Sequence, residues 1–145
     1  MAVPTGKFVN VGQDPNGVAF FTSVGYTEQV ASDINNSKNE VTLKKEGDGY
    51  VMTIAQPDLN RQQDLRFKLG QEQTQTLPSG KTVKSTTNWN DGAKTLEGKY
   101  TNSDGLTWSV NLIFKNDTEM TLKRDSPSVH NSSLEFRRAT LTHVD

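Results

Sequence analysis

The sequence predicts an all-β fold, about ten short antiparallel strands closed into an up-and-down barrel, with a helix–turn–helix lid after the first strand. Three observations predict it. Residues Asp64–Gly92 read as a meander, in which the strand-like runs Leu65–Leu69, Gln71–Thr76 and Lys81–Trp89 are broken by Gly70, by Leu77-Pro78-Ser79-Gly80 and by Asn90-Asp91-Gly92. Gly punctuates because it reaches positive φ, and Pro because it fixes φ and removes an amide donor. Next, Leu106–Phe114 alternates, with Leu106, Trp108, Val110, Leu112 and Phe114 on one face. Last, no segment after Asn36 has helical spacing.

A chain of 145 residues suits one domain, 1–145, around one core. Basic and acidic residues number 16 and 17, so bulk charge gives no attraction to nucleic acid or to an anionic membrane. Apolar content of 32% and mean hydropathy of −0.70 suit a small or partly wet interior. The absence of cysteine excludes disulfides, thiolate catalysis and Cys-based metal sites. The start, MAVPTGKF, lacks a hydrophobic run of signal-peptide length, and no stretch approaches membrane-spanning length. The expectation is a cytoplasmic monomer. Sequons at Asn35, Asn116 and Asn131 read as chance in an Asn- and Ser-rich chain.

Taken in order, Gly6–Gly12 is a short first strand anchored by Phe8, stopped by Asp14-Pro15-Asn16-Gly17. Asp or Asn there can cap a helix carrying Val18, Phe21 and Val24, with Gly25 as C-cap. A second helix fits Thr27–Ile34, capped by Thr27, with Val30 and Ile34 four apart. Glu40–Lys45 and Tyr50–Gln56 flank the hairpin signal Glu46-Gly47-Asp48-Gly49, and Pro57–Asn60 turns the chain into the meander. Ala93–Tyr100, Leu106–Phe114, Glu119–Asp125 and Ser132–Thr140 complete the strands, separated by turns at Thr101–Gly105, Lys115–Thr118 and Ser126–Asn131. An open sheet of that length would expose two edges, and closure removes them. A barrel of this strand number is too wide for its own side chains to fill, so it tends to hold a ligand cavity that the helices can cover.

The run Leu65-Arg66-Phe67-Lys68-Leu69-Gly70-Gln71-Glu72 resembles the end of the fourth strand in the intracellular lipid-binding proteins, the fatty-acid-, retinoid- and bile-acid-binding family. Ser79-Gly80-Lys81-Thr82-Val83-Lys84-Ser85, the Asn90-Asp91-Gly92 turn, Gly6-Lys7-Phe8 and Val24-Gly25 extend the resemblance, and element order agrees over nearly the whole chain. Asn10 and the lengthened turns at Thr101–Gly105 and Ser126–Asn131 depart from it. The resemblance implies a β-clam, a lipocalin-like barrel that holds one or two amphipathic lipids. It also implies a gap after Gly70 and a portal drawn from Val18–Ile34, Pro57–Asn60 and Leu77–Ser79. Phe21, Val24, Val30, Ile34, Leu59 and Leu77 are its portal candidates.

A bound fatty acid gains about 0.8 kcal/mol per buried CH₂, and its carboxylate needs a charged partner. Period-two alternation turns Leu134, Phe136, Arg138 and Thr140 inward, making Arg138 the candidate. The residues alone leave two roles open, carboxylate partner or a strand-end arginine snorkelling to water. The resemblance favours the first, because Phe136-Arg137-Arg138-Ala139-Thr140 is similar to the last strand of the liver-type and bile-acid-binding branch. The other branch's two-arginine clamp is not supported, since position 140 is Thr and Leu106–Phe114 contains no basic residue. Arg124 shares the parity of Met120 and Leu122 and is a secondary candidate, expected to face solvent. Trp89 and Trp108 read as core, with Trp108 able to line a cavity.

Lys44, Lys45, Lys81 and Lys84 read as solvated, and transient membrane contact follows only if some of them gather at the portal. His130 and His143 lack metal-ligand spacing, and no nucleophile, P-loop or dinucleotide motif occurs. The expectation is a non-enzymatic, cofactor-free and metal-free carrier of long-chain fatty acids or similar amphipaths, without nucleic-acid partners. The alternatives are a retinoid or bile-acid carrier of the same fold, and a ligand-free scaffold or membrane-surface protein.

Overall fold

The computed structural model describes residues 3–76 and 80–139. Strand β1 (Gly6–Val11) is followed by helices α1 (Gly17–Ser23) and α2 (Glu28–Asn36), then β2 (Glu40–Glu46), β3 (Gly49–Gln56) and a 3-10 turn at Pro57–Leu59. The chain continues through β4 (Arg61–Phe67), β5 (Glu72–Thr76), β6 (Thr82–Asn90), β7 (Thr95–Asn102), β8 (Thr107–Phe114), β9 (Glu119–Asp125) and β10 (Ser132–Arg138). The ten strands form one antiparallel sheet in the order β4-β3-β2-β1-β10-β9-β8-β7-β6-β5, curled into a nearly closed barrel. β4 and β5 form no ladder with each other, which leaves the gap that the Leu65–Glu72 run implies. Gln75 Nε2 reaches across it to the Asp64 carbonyl at 2.9 Å.

Element order and type follow the sequence reading, and the boundaries shift for local reasons. β4 starts at Arg61 rather than Leu65, because its ladder with β3 runs from Gln56↔Arg61 to Tyr50↔Phe67. Hairpin register, which hydrophobicity does not reveal, sets that start. β7 starts at Thr95 rather than Ala93, since Asn90 Oδ1 accepts from Ala93 N and Lys94 takes a positive φ of 50° to close the turn. Asn102 ends β7 inside the expected turn, and its Oδ1 accepts from the amides of Asp104 and Leu106. That holds Leu106 out of β8. In α2 the Thr27 hydroxyl accepts from Val30 N at 3.3 Å, as its cap position predicts, and the helix runs on to Asn36. In α1 the C-cap is Val24 rather than Gly25, and Asn16 at the N-cap makes no side-chain cap bond.

The helices gather at one end of the barrel, beside the 57–60, 103–106 and 126–131 turns. This lid end is where the resemblance implies a portal, hence the portal end; the 47–48, 91–94 and 115–118 turns mark the opposite, closed end. Core packing is concentrated toward the closed end, where Phe8 is fully buried and meets Phe114 edge-on at 5.7 Å between ring centroids. Val41, Leu43, Leu112, Met120, Leu134 and Phe136 join the same cluster. On the inward face of β8, Leu112 and Phe114 are buried, whereas Trp108 and Val110 nearer the portal are half-buried.

Candidate functional site

The lid is seated by polar contacts. Asn16 Nδ2 donates to the Asn131 carbonyl at 3.0 Å, the hydroxyls of Ser23 and Ser126 lie 2.7 Å apart, and Lys38 N donates to Asp58 Oδ2 at 3.2 Å. Phe21 meets Tyr26 edge-on at 5.3 Å. Burial pushes the Tyr26 hydroxyl pKa up, against the charge of Arg61 at the start of β4. Of the portal candidates, Phe21, Val30 and Leu59 are half-buried, whereas Val24 and Ile34 are buried beneath the lid. Leu77 lies outside the described residues.

Arg124 does not face solvent as expected. It is 9% exposed and inward, as its parity with Met120 and Leu122 allows. Its Nη2 donates to Asp14 Oδ2 at 3.0 Å and its Nε to Ser132 Oγ at 3.0 Å. Ser132 Oγ donates to the same Asp14 oxygen at 2.5 Å, and the Arg124 guanidinium lies over the rings of Phe21 (4.6 Å) and Phe20 (5.3 Å). Burial pulls the arginine's pKa down, and the hydrogen bond and charge of Asp14 oppose that shift. Asp14, 1% exposed, therefore supplies the counter-charge from the linker between β1 and α1. Losing one partner would leave the other charge buried and unpaired.

Arg138 is inward, paired with Phe8 across the β1–β10 ladder and stacked over its ring at 4.7 Å. Its donors reach backbone oxygen: Nε bonds the Asp117 carbonyl and Nη1 the Thr5 carbonyl, each at 2.6 Å. Gly6, at φ +128°, permits this, because a Cβ there would collide with the guanidinium. Arg124 is level with Ser132, and Arg138 lies six residues further along β10. At about 3.4 Å per residue they are roughly 20 Å apart, too far to share one carboxylate. Thr140 lies outside the described residues, and Phe136 is a 2% exposed core residue.

Between these ends Trp108 stacks on Tyr100, with centroids 5.6 Å apart and planes within 6°. Beneath them is a void of about 10 Å³ bordered by Thr87, Gly98 and Tyr100 and walled by Met52, Leu96 and Val110. The Thr87 hydroxyl is buried without a hydrogen-bond partner among the described residues. Sequence reasoning passed over Asp14, Ser132, Thr87 and Tyr100. The available signal was parity, since Thr87 shares its face of β6 with Val83, Ser85 and Trp89. Lys44, Lys45, Lys81 and Lys84 are exposed; Lys45 lies over Tyr50 at 4.6 Å and Lys81 pairs with Asp104 at 2.6 Å. His130 Nδ1 pairs with Asp125 at 2.6 Å. Among the described residues no group of three or more His, Cys, Asp or Glu is placed to hold a metal ion, and no helix is long and apolar enough to cross a membrane.

No family model and no curated protein matches the chain in sequence. Solved structures do match. Lipid binding protein 8 of Caenorhabditis elegans superposes with a TM-score of 0.80 at 13% identity, over 93% of this chain and 94% of that one. A secretary abundant heat soluble protein from Ramazzottius varieornatus gives 0.79 at 22% identity, over 94% of each chain. The fatty acid-binding protein of Drosophila melanogaster brain tissue gives 0.77 at 20% identity, over 95% of this chain and all of that one. Lid, gap and strand order thus define a ten-stranded barrel with the fold that these lipid-binding proteins share. More particularly, the fold is that of the fatty-acid-binding proteins, as the Leu65–Glu72 resemblance implied.

Proposed function

We propose that this chain is a non-catalytic carrier that holds long-chain fatty acids or similar amphipathic lipids inside its barrel. One observation carries the reading. The inward wall near the portal, formed by Ile54, Val110 and Trp108, is apolar yet only half-buried, under a two-helix lid and above the Phe8–Phe114 core. Such a wall gains most from an alkyl chain, at about 0.8 kcal/mol per CH₂ covered. Two of the matched proteins bear lipid- or fatty-acid-binding names, which supports the same reading. Delipidated protein titrated with a fluorescent fatty acid should show saturable binding. Absence of saturable binding for both this probe and a fluorescent fatty alcohol would overturn the carrier.

A second reading is a barrel that stores no ligand and acts as a scaffold. The void of about 10 Å³ beside Thr87 favours it, since that space admits a single water-sized group and not an alkyl chain. Mass spectrometry of lipid extracted from the purified protein separates the two. A stoichiometric lipid supports the carrier and identifies fatty acid, retinoid or bile acid.

A further inference from the structure

Thr87 Oγ1 is a buried side-chain oxygen without a hydrogen-bond partner among the described residues, in a residue 4% exposed. Buried hydroxyls are normally bonded, and one that is not marks a place for a group from outside the chain. It borders the void of about 10 Å³, the scale of one water oxygen. Tyr100 lines the same void, and its hydroxyl lies over Gly98, where a Cβ would come within 3.0 Å of it. Two hydroxyl-bearing side chains, each able to donate and accept, thus line room for one oxygen.

Charge decides which oxygen. Among the described buried residues the charged ones are Asp14 and Arg124, and they pair with each other at the portal. The Nε and Nη1 donors of Arg138 are taken by carbonyls at the closed end. A carboxylate placed at Thr87 would be desolvated with no cation beside it. Burial already pushes the Tyr100 hydroxyl up to about 12, the response of surroundings that disfavour negative charge.

We propose that Thr87 and Tyr100 form a single-oxygen head-group site that takes the hydroxyl or carbonyl oxygen of an uncharged lipid, a long-chain alcohol or acylglycerol, rather than a fatty-acid carboxylate. The tail runs from this site past Val110 and Trp108 toward the lid. The proposal rests on the carrier reading and narrows its ligand.

The test is calorimetric titration of delipidated protein at neutral pH with oleyl alcohol and with oleate, both delivered from cyclodextrin. The alcohol should bind about tenfold tighter or better. Thr87→Val and Tyr100→Phe should each weaken the alcohol by about three- to tenfold and leave oleate unchanged. Oleate binding as tightly as the alcohol, or either variant weakening both ligands alike, would overturn the site. Tighter oleate binding that Arg138→Ala abolishes would move the head group to the closed end. Saturable binding of neither ligand would remove the carrier reading itself, a result distinct from the others.

Discussion

The portal end and the closed end of this barrel each hold an inward arginine, and the two are held by different chemistry. Arg124 at the portal is paired with the carboxylate of Asp14, 110 residues away, and shares that oxygen with Ser132. Arg138 at the closed end is held by two backbone carbonyls, from Thr5 and Asp117, and by the face of Phe8. The first arrangement fastens the lid's leading linker to the barrel wall. The second seals the end where β1 begins and β10 finishes. An inward arginine is therefore no sign of a head-group site until its partners are known.

The largest effect should follow from breaking the portal pair. Asp14→Ala or Arg124→Ala should cost about 3–5 kcal/mol in denaturant unfolding, because each leaves a buried charge without its partner. The double variant Asp14→Leu/Arg124→Met should recover most of that loss, and failure to recover would mean that packing, not charge, is what the singles lose. Arg138→Ala should cost less, about 1–3 kcal/mol, since carbonyls left behind at an end reached by solvent can bond water. A closed-end loss equal to the portal loss would erase the distinction.

Between the two ends, Tyr100 makes stability depend on alkaline pH. Its folded-state pKa, about 12, lies above the ordinary value of 10.0 because burial disfavours the phenolate. The neutral phenol's contribution is therefore complete below pH 10 and falls as pH rises toward about 12. Tyr100→Phe should flatten this slope in unfolding curves, leaving the part that Tyr26 contributes. Thr87→Val should leave stability unchanged or raise it by about 1 kcal/mol, since the methyl replaces a hydroxyl without a partner. A clear loss would mean that the hydroxyl is bonded in the folded protein.

The smallest effect concerns the outer face of the lid. Residues 12–37 contain no Lys or Arg, and Glu28 and Asp33 on the lid are exposed. Raising the anionic lipid content of acceptor vesicles should therefore not speed lipid transfer. Acceleration would place the docking surface elsewhere, for example on Lys81 and Lys84.

The contrast between the ends also marks how far the sequence can be read. Gly and Pro punctuation and the alternation in Leu106–Phe114 yield the strands in order. The Thr27 cap yields α2, and the inward parity of Leu134, Phe136 and Arg138 agrees with their pairing and burial. These are local properties, repeated every two residues or signalled by one cap. Parity also turned Arg124 inward, but its burial depends on Asp14, which reaches it only once the barrel closes. The partners of Arg138, the carbonyls of Thr5 and Asp117, have no side-chain signature at all. The unpartnered hydroxyl of Thr87 is likewise invisible in a strand of alternating residues. By itself, then, the sequence determined the container: the strands in order, the lid and the alternation along each strand. Tertiary structure alone decided the partner of each inward polar group, because those partners lie far apart in the chain or on the backbone, where no periodicity records them.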